Sequence, residues 1–121
     1  MEKAVLIVDD SATVRKFVST SLMVKGIRVV TACDGLEALE KLPKEDIGLI
    51  ITDLNMPDMD GFELIRNLRE SPEYRNLPVI VLSSVSDAEE KERARTMGAS
   101  SYVEKPFDAR KIQGEVSRFV N

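Results

Sequence analysis

A chain of 121 residues has room for one domain, and 43% hydrophobic with 31% charged residues supplies both a core and a solvated surface. The formal net charge of -4 argues against a nucleic-acid-binding module, which shows a basic face, and the absence of histidine excludes an imidazole base or imidazole metal ligand. The single cysteine, Cys33, rules out an intrachain disulfide, and the apolar run Ala4–Val8 is too short for a signal-peptide core or a membrane span, so a soluble cytoplasmic protein in a reducing compartment is expected.

Ala4–Val8 reads as a fully buried strand closed by Asp9 and Asp10. Ser11–Lys25 carries Val14, Phe17, Val18 and Leu22 at the spacing of one helix face, and Gly26 ends that helix. Ile27–Ala32 is a second, β-branched strand. Asp34-Gly35-Leu36-Glu37 has the form of a capping box and opens a helix burying Ala38, Leu39 and Leu42, with Pro43 just past its end. The third strand, Leu49–Thr52, stops at Asp53, and a turn through Pro57, Asp58, Asp60 and Gly61 leads into a helix marked by Phe62, Leu64, Ile65 and Leu68. Val79–Leu82 is the fourth strand, ending in Ser83-Ser84. Ser86-Asp87-Ala88-Glu89 opens a strongly charged fourth helix that Gly98 closes. Ser101–Val103 is the fifth strand, Glu104-Lys105-Pro106-Phe107 a turn, and Asp108–Val120 a last helix with Ile112, Val116, Phe119 and Val120 on its apolar side.

Strands alternating with helices imply an α/β fold: a parallel sheet covered on both faces, a three-layer (βα)5 sandwich. For five strands of this size the flavodoxin-like order 2-1-3-4-5 is the known doubly wound arrangement, adopted here rather than derived. Its switch point lies between strands 1 and 3, where Asp9, Asp10 and Asp53 would converge. At about 4 Å and an effective dielectric of about 20, each carboxylate pair costs about 4 kcal/mol. A divalent cation offsets that cost, and carboxylates with carbonyls and water suit Mg²⁺. Asp53 is then read as a nucleophile accepting a phosphoryl group. Each piece also has a plainer reading: Asp9 and Asp10 as helix-starting residues, Asn55, Asp58 and Asp60 as turn residues, Lys105 as a solvated lysine held extended by Pro106, Ser83 as a loop serine.

Taken together, Val8-Asp9-Asp10-Ser11, Thr52-Asp53-Leu54-Asn55-Met56-Pro57-Asp58-Met59-Asp60-Gly61, Val81-Leu82-Ser83-Ser84 and Gly98–Phe107 resemble the receiver domain of two-component response regulators over essentially the whole chain. The segment around Asn55-Met56-Pro57 is most similar to single-domain, chemotaxis-type (CheY-like) members. The resemblance implies that Asp53 is the phosphoacceptor, and that Asp10, Asp53 and the Asn55 backbone carbonyl bind Mg²⁺, with Asp9 helping directly or through water. It implies that Ser83 and Lys105 contact the phosphoryl group and that Tyr102 reports the switch. The hydroxyl position is commonly Thr in the family; Ser83 keeps the donor and lacks the methyl. Val85 has no polar group to orient an attacking water.

The implied protein is a phosphoacceptor rather than an enzyme, assisting only its own phosphorylation and dephosphorylation. Its implied partners are a sensor histidine kinase or phosphotransfer protein and a downstream protein target on the face of helix 4, strand 5 and helix 5. Residues 1–121 are expected to form one monomeric receiver domain without an output domain, binding neither nucleic acid nor membrane. Two other readings share the strand-end aspartates: a Mg²⁺-dependent phosphohydrolase with an aspartyl nucleophile, and a phosphorylation-independent interaction module of the same fold.

Overall fold

A computed structural model describes residues 3–84 and 88–120, the side chain of Ser84 excepted. Five strands, β1 (Ala4–Val8), β2 (Val29–Ala32), β3 (Ile47–Asp53), β4 (Val79–Ser84) and β5 (Ser101–Lys105), alternate with five helices. These are α1 (Ala12–Met23), α2 (Gly35–Lys41), α3 (Gly61–Glu70), α4 (Ala88–Met97) and α5 (Ala109–Ser117). All strand pairings are parallel and the order is β2-β1-β3-β4-β5, as expected.

Side chains alternate across the sheet, so each strand feeds two cores. Leu6, Val8, Ile50, Val79 and Val81 face one side with Ala38 of α2, Phe62, Leu64, Ile65 and Leu68 of α3 and Ala94 of α4. Val5, Ile7, Leu49, Ile51, Ile80, Leu82 and Val103 face the other, against Val18 and Leu22 of α1 and Ile112 and Val116 of α5. This two-sided burial is why β1 and β3 read as unbroken apolar runs. Each fully buried Leu or Ile here contributes about 1.5–3 kcal/mol relative to exposure.

Several boundaries differ from the sequence expectations. β3 extends through Asp53, and β5 takes in Glu104 and Lys105, expected as a turn, because both pair with β4 at Ser83 and Ser84. β2 begins only at Val29. A 3-10 turn, Leu42–Lys44, places Pro43 inside a helical segment rather than past its end. α5 stops at Ser117, while Phe119 and Val120 still pack on the second core. Phe17, expected on the buried face of the first helix, is exposed and pairs with the Phe107 ring at 5.9 Å. Ser11, rather than Asp9 or Asp10, caps α1 by accepting from the Val14 N–H. Asp60 is more than a turn residue: its carboxylate accepts from the Glu63 N–H and caps α3. The Asp34 cap forms as expected, although Glu37 reaches back to the Cys33 N–H. Val85 and the Ser86-Asp87 part of the fourth capping pattern lie outside the described residues.

Candidate functional site

The parallel strands deliver their carboxyl ends to one edge, and the acidic residues arrive there because each ends or follows an apolar run. β1 carries the chain to Asp9 and Asp10, and β3 ends on Asp53 itself. The cap made by Ser11 frees both β1-end aspartates from helix capping. One carboxylate oxygen from each of Asp9, Asp10 and Asp53 lies within 4.8 Å of the others. Asp9 is buried, Asp53 half-buried and Asp10 exposed.

Asp9 is held by its backbone and by neighbours. Its Oδ1 accepts from the Ser11 N–H at 2.8 Å, and its carbonyl accepts from Arg15 Nη1 at 2.6 Å. Its Oδ2 is buried and finds no partner among the described residues. A carboxylate oxygen so placed is costly unless a cation meets it. Burial, with the nearby Asp53 and Asp10 charges adding to it, lifts the Asp9 pKa to about 6 against the Ser11 hydrogen bond and Lys105. Burial also raises the Asp53 pKa, opposed by Lys105 and by the Leu54 and Asn55 N–H groups.

Around Asp53 the backbone is tightly fixed. Leu54 N–H donates to Asp53 Oδ1 at 2.8 Å, and the Thr52 hydroxyl donates to the Asp53 carbonyl. Gly61 packs directly on this strand end: a Cβ there would sit 2.3 Å from the Asp53 carbonyl oxygen and 2.8 Å from Leu54 Cα. The Gly61 N–H donates to the Leu54 carbonyl at 2.9 Å, closing the turn that carries Asn55. Lys105, at the end of β5 before a cis Pro106, places Nζ 3.9 Å from Asp53 Oδ1. In β4, Leu82 pairs with Asp53, so Ser83 is the next residue toward the edge. Its hydroxyl is buried and unpartnered among the described residues. Tyr102 lies on β5 with 42% of its surface exposed.

The structure thus brings Asp9, Asp10, Asp53 and Lys105 together, and it sets Asn55 in the turn two residues past the end of β3 and Ser83 near the end of β4. It also places residues there that no local pattern singled out. Arg15 braces the Asp9 backbone from α1, and Glu90 on α4 accepts from Asn55 Nδ2 at 3.5 Å. The donor set fits a small hard cation: carboxylate oxygens grouped on one side, one of them buried and unsatisfied, with a backbone turn alongside.

Comparison with known proteins covers nearly the whole chain. The family model described as the response regulator receiver domain matches residues 5–117. Chemotaxis protein CheY-3 of Vibrio cholerae is 36% identical over 115 residues, which are 94% of this chain and 88% of that protein. The probable transcriptional regulator ycf27 of Porphyridium aerugineum is 31% identical over 95% of this chain, which spans only 47% of that longer protein. Among solved structures, the chemotaxis response regulator CheY4 of Vibrio cholerae superposes with a TM-score of 0.91 at 36% identity, covering 99% of this chain and all of that one.

Proposed function

The chain belongs to the response regulator receiver domain family of two-component systems, and on that footing we propose that Asp53 is the aspartate that takes the phosphoryl group. Receivers of this family accept a phosphoryl group on an aspartate and interact with histidine kinases and downstream targets. The observation that carries the assignment is the setting of Asp53: the last residue of the central strand, beside two further carboxylates and 3.9 Å from the Lys105 ammonium.

In this reading an Asp53 carboxylate oxygen attacks phosphorus in line, forming a P–O bond as the donor's bond to phosphorus breaks. Asp10, Asp53 and the Asn55 carbonyl would hold Mg²⁺, with Asp9 adding its unsatisfied Oδ2 directly or through water. Bound there, the cation offsets charge on the carboxylate and on the phosphoryl oxygens. Lys105 neutralises one phosphoryl oxygen as a point charge, and Ser83 donates its hydroxyl to another. The chain assists only its own phosphorylation and dephosphorylation. Residues 1–121 act as one receiver domain, and the signal leaves through the face of α4, β5 and α5, where Ser83 and Tyr102 couple the site to a protein target. The phosphoryl donor is a histidine kinase or a phosphotransfer protein.

Calorimetric Mg²⁺ titration combined with phosphoryl uptake from acetyl phosphate tests the assignment. Asp10→Ala is expected to weaken both together, because it removes a ligand and one unit of charge. Unchanged Mg²⁺ affinity in that variant would move the metal elsewhere.

A further inference from the structure

Lys91, the lysine of α4, does not behave as a surface lysine. Lysine normally leaves its ammonium in water, yet this side chain is only 16% exposed. Its Nζ donates to Glu104 Oε1 at 2.6 Å and lies 4.9 Å from the centre of the Tyr102 ring. Tyr102 and Glu104 are two residues apart on β5 and therefore share one face of the sheet. Glu104 is in register with Ser83 and Tyr102 with Val81. One ammonium from α4 thus bridges two side chains on the β5 face next to the buried Ser83 hydroxyl.

We propose that Lys91 is a positioning residue of the switch, an ammonium clasp that holds the Tyr102 ring outward while the site is unphosphorylated. The proposal rests on the reading of Ser83 and Tyr102 as the coupling pair. Its physical basis is that this ammonium joins α4 directly to the β5 face, while Met97 and Ala94 seat the helix on the first core and Glu90 meets Asn55. Ala94 is its buried residue among those described, and Arg93 stacks over the Phe62 ring of α3 at 3.9 Å. Arg95, one turn beyond Lys91, is exposed and paired with Glu92 on its own helix, and reaches Tyr102 only through its charge, with no ring contact among the described residues. Lys91 supplies both a hydrogen bond and a cation–ring contact between α4 and β5 among the described residues. With the ring outward, the ammonium meets the Tyr102 π-face and the Glu104 carboxylate at once. If the ring turns inward, Lys91 keeps Glu104 and loses the ring. The contact thus favours the outward state, and its removal shifts the population toward the inward one.

The test is an NMR titration of the Mg²⁺-loaded chain with beryllium fluoride, following Tyr102 aromatic resonances in wild type, Lys91→Met and Lys91→Arg. Lys91→Met is expected to bind beryllium fluoride at least about two- to five-fold more tightly, the factor that a cation–π contact near the surface represents. Its Mg²⁺ affinity should stay unchanged, and its Tyr102 shifts before titration should already lie toward the bound position. Lys91→Arg, which keeps cation and ion pair, should restore wild-type behaviour. A Lys91→Met variant with a lower melting midpoint but unaltered beryllium fluoride affinity and Tyr102 shifts would overturn the clasp and leave Lys91 a structural tie. Weaker beryllium fluoride binding would overturn it too. If Tyr102 of the wild type does not respond to beryllium fluoride at all, the coupling role of Tyr102 fails, and the clasp with it.

Discussion

Asp9 is the residue whose environment works hardest against its charge. Folding lifts its carboxyl from an ordinary 3.8 to about 6, chiefly by burial. In metal-free protein the folded state therefore holds this proton more tightly than the unfolded state. That contribution to stability is fully present below the unfolded value and is lost as pH rises through about 6. In a chelating buffer, the advantage of Asp9→Asn over wild type should therefore grow as pH rises from about 4 through about 6 and level off above that, at on the order of 1–3 kcal/mol. Thermal melts of both proteins across that range check it, and a pH-independent difference would contradict it. Saturating Mg²⁺ should reverse the ranking, because the carboxylate then has a cation to meet. Gly61 presents the opposite constraint, space rather than charge. Gly61→Ala must displace the Asp53–Leu54 backbone, at an expected cost of about 1–3 kcal/mol with slower phosphoryl uptake. A variant as stable and as readily phosphorylated as wild type would contradict that packing role. Asp9, Asp10, Asp53 and Lys105 were legible in the sequence because three sit where apolar runs end and one precedes a proline. Arg15, Glu90 and Lys91 were not, since their partners lie 6, 35 and 13 positions away, and only the fold brings them together.

Among the elements, the helix starts separate residues that look alike in sequence. Asp58 and Asp60 both read as turn aspartates, yet only Asp60 caps α3, while Asp58 takes φ +64 in the preceding turn. Asp60→Ala should cost about 1 kcal/mol through the lost cap. Asp58→Gly should leave stability within about 1 kcal/mol of wild type, since glycine adopts that backbone without strain, and should leave Mg²⁺ affinity unchanged. Denaturant midpoints and a metal titration distinguish the two; equal destabilisation would contradict the assignment of the cap. β5 was the hardest element to delimit from sequence. Its three-residue core, Ser101–Val103, is too short to show where pairing stops, and Glu104 and Lys105 look like turn residues until β4 is set beside them. α4 was visible through its charge and Gly98, but its attachment combines a narrow apolar contact, Ala94 and Met97, with cations over the Tyr102 and Phe62 rings and onto the Glu104 carboxylate. Hydrophobic periodicity reports only part of that attachment.

For the molecule as a whole, the parallel order β2-β1-β3-β4-β5 gathers the residues. With β1 next to β3, two strand ends bearing three carboxylates meet at the crevice where the chain reverses its winding. With β4 and β5 following on, Ser83 and Lys105 are brought to the same edge. The alternation of buried strands and amphipathic helices made this architecture readable, while the strand order came from the known doubly wound arrangement. At this edge Asp53 is proposed to be the phosphoacceptor. Intact-mass spectrometry after incubation with acetyl phosphate and Mg²⁺ tests it most directly. The wild-type chain should gain one phosphoryl group in an alkali-labile linkage, and Asp53→Asn should gain none. Equal labelling of the Asp53→Asn variant would contradict the account.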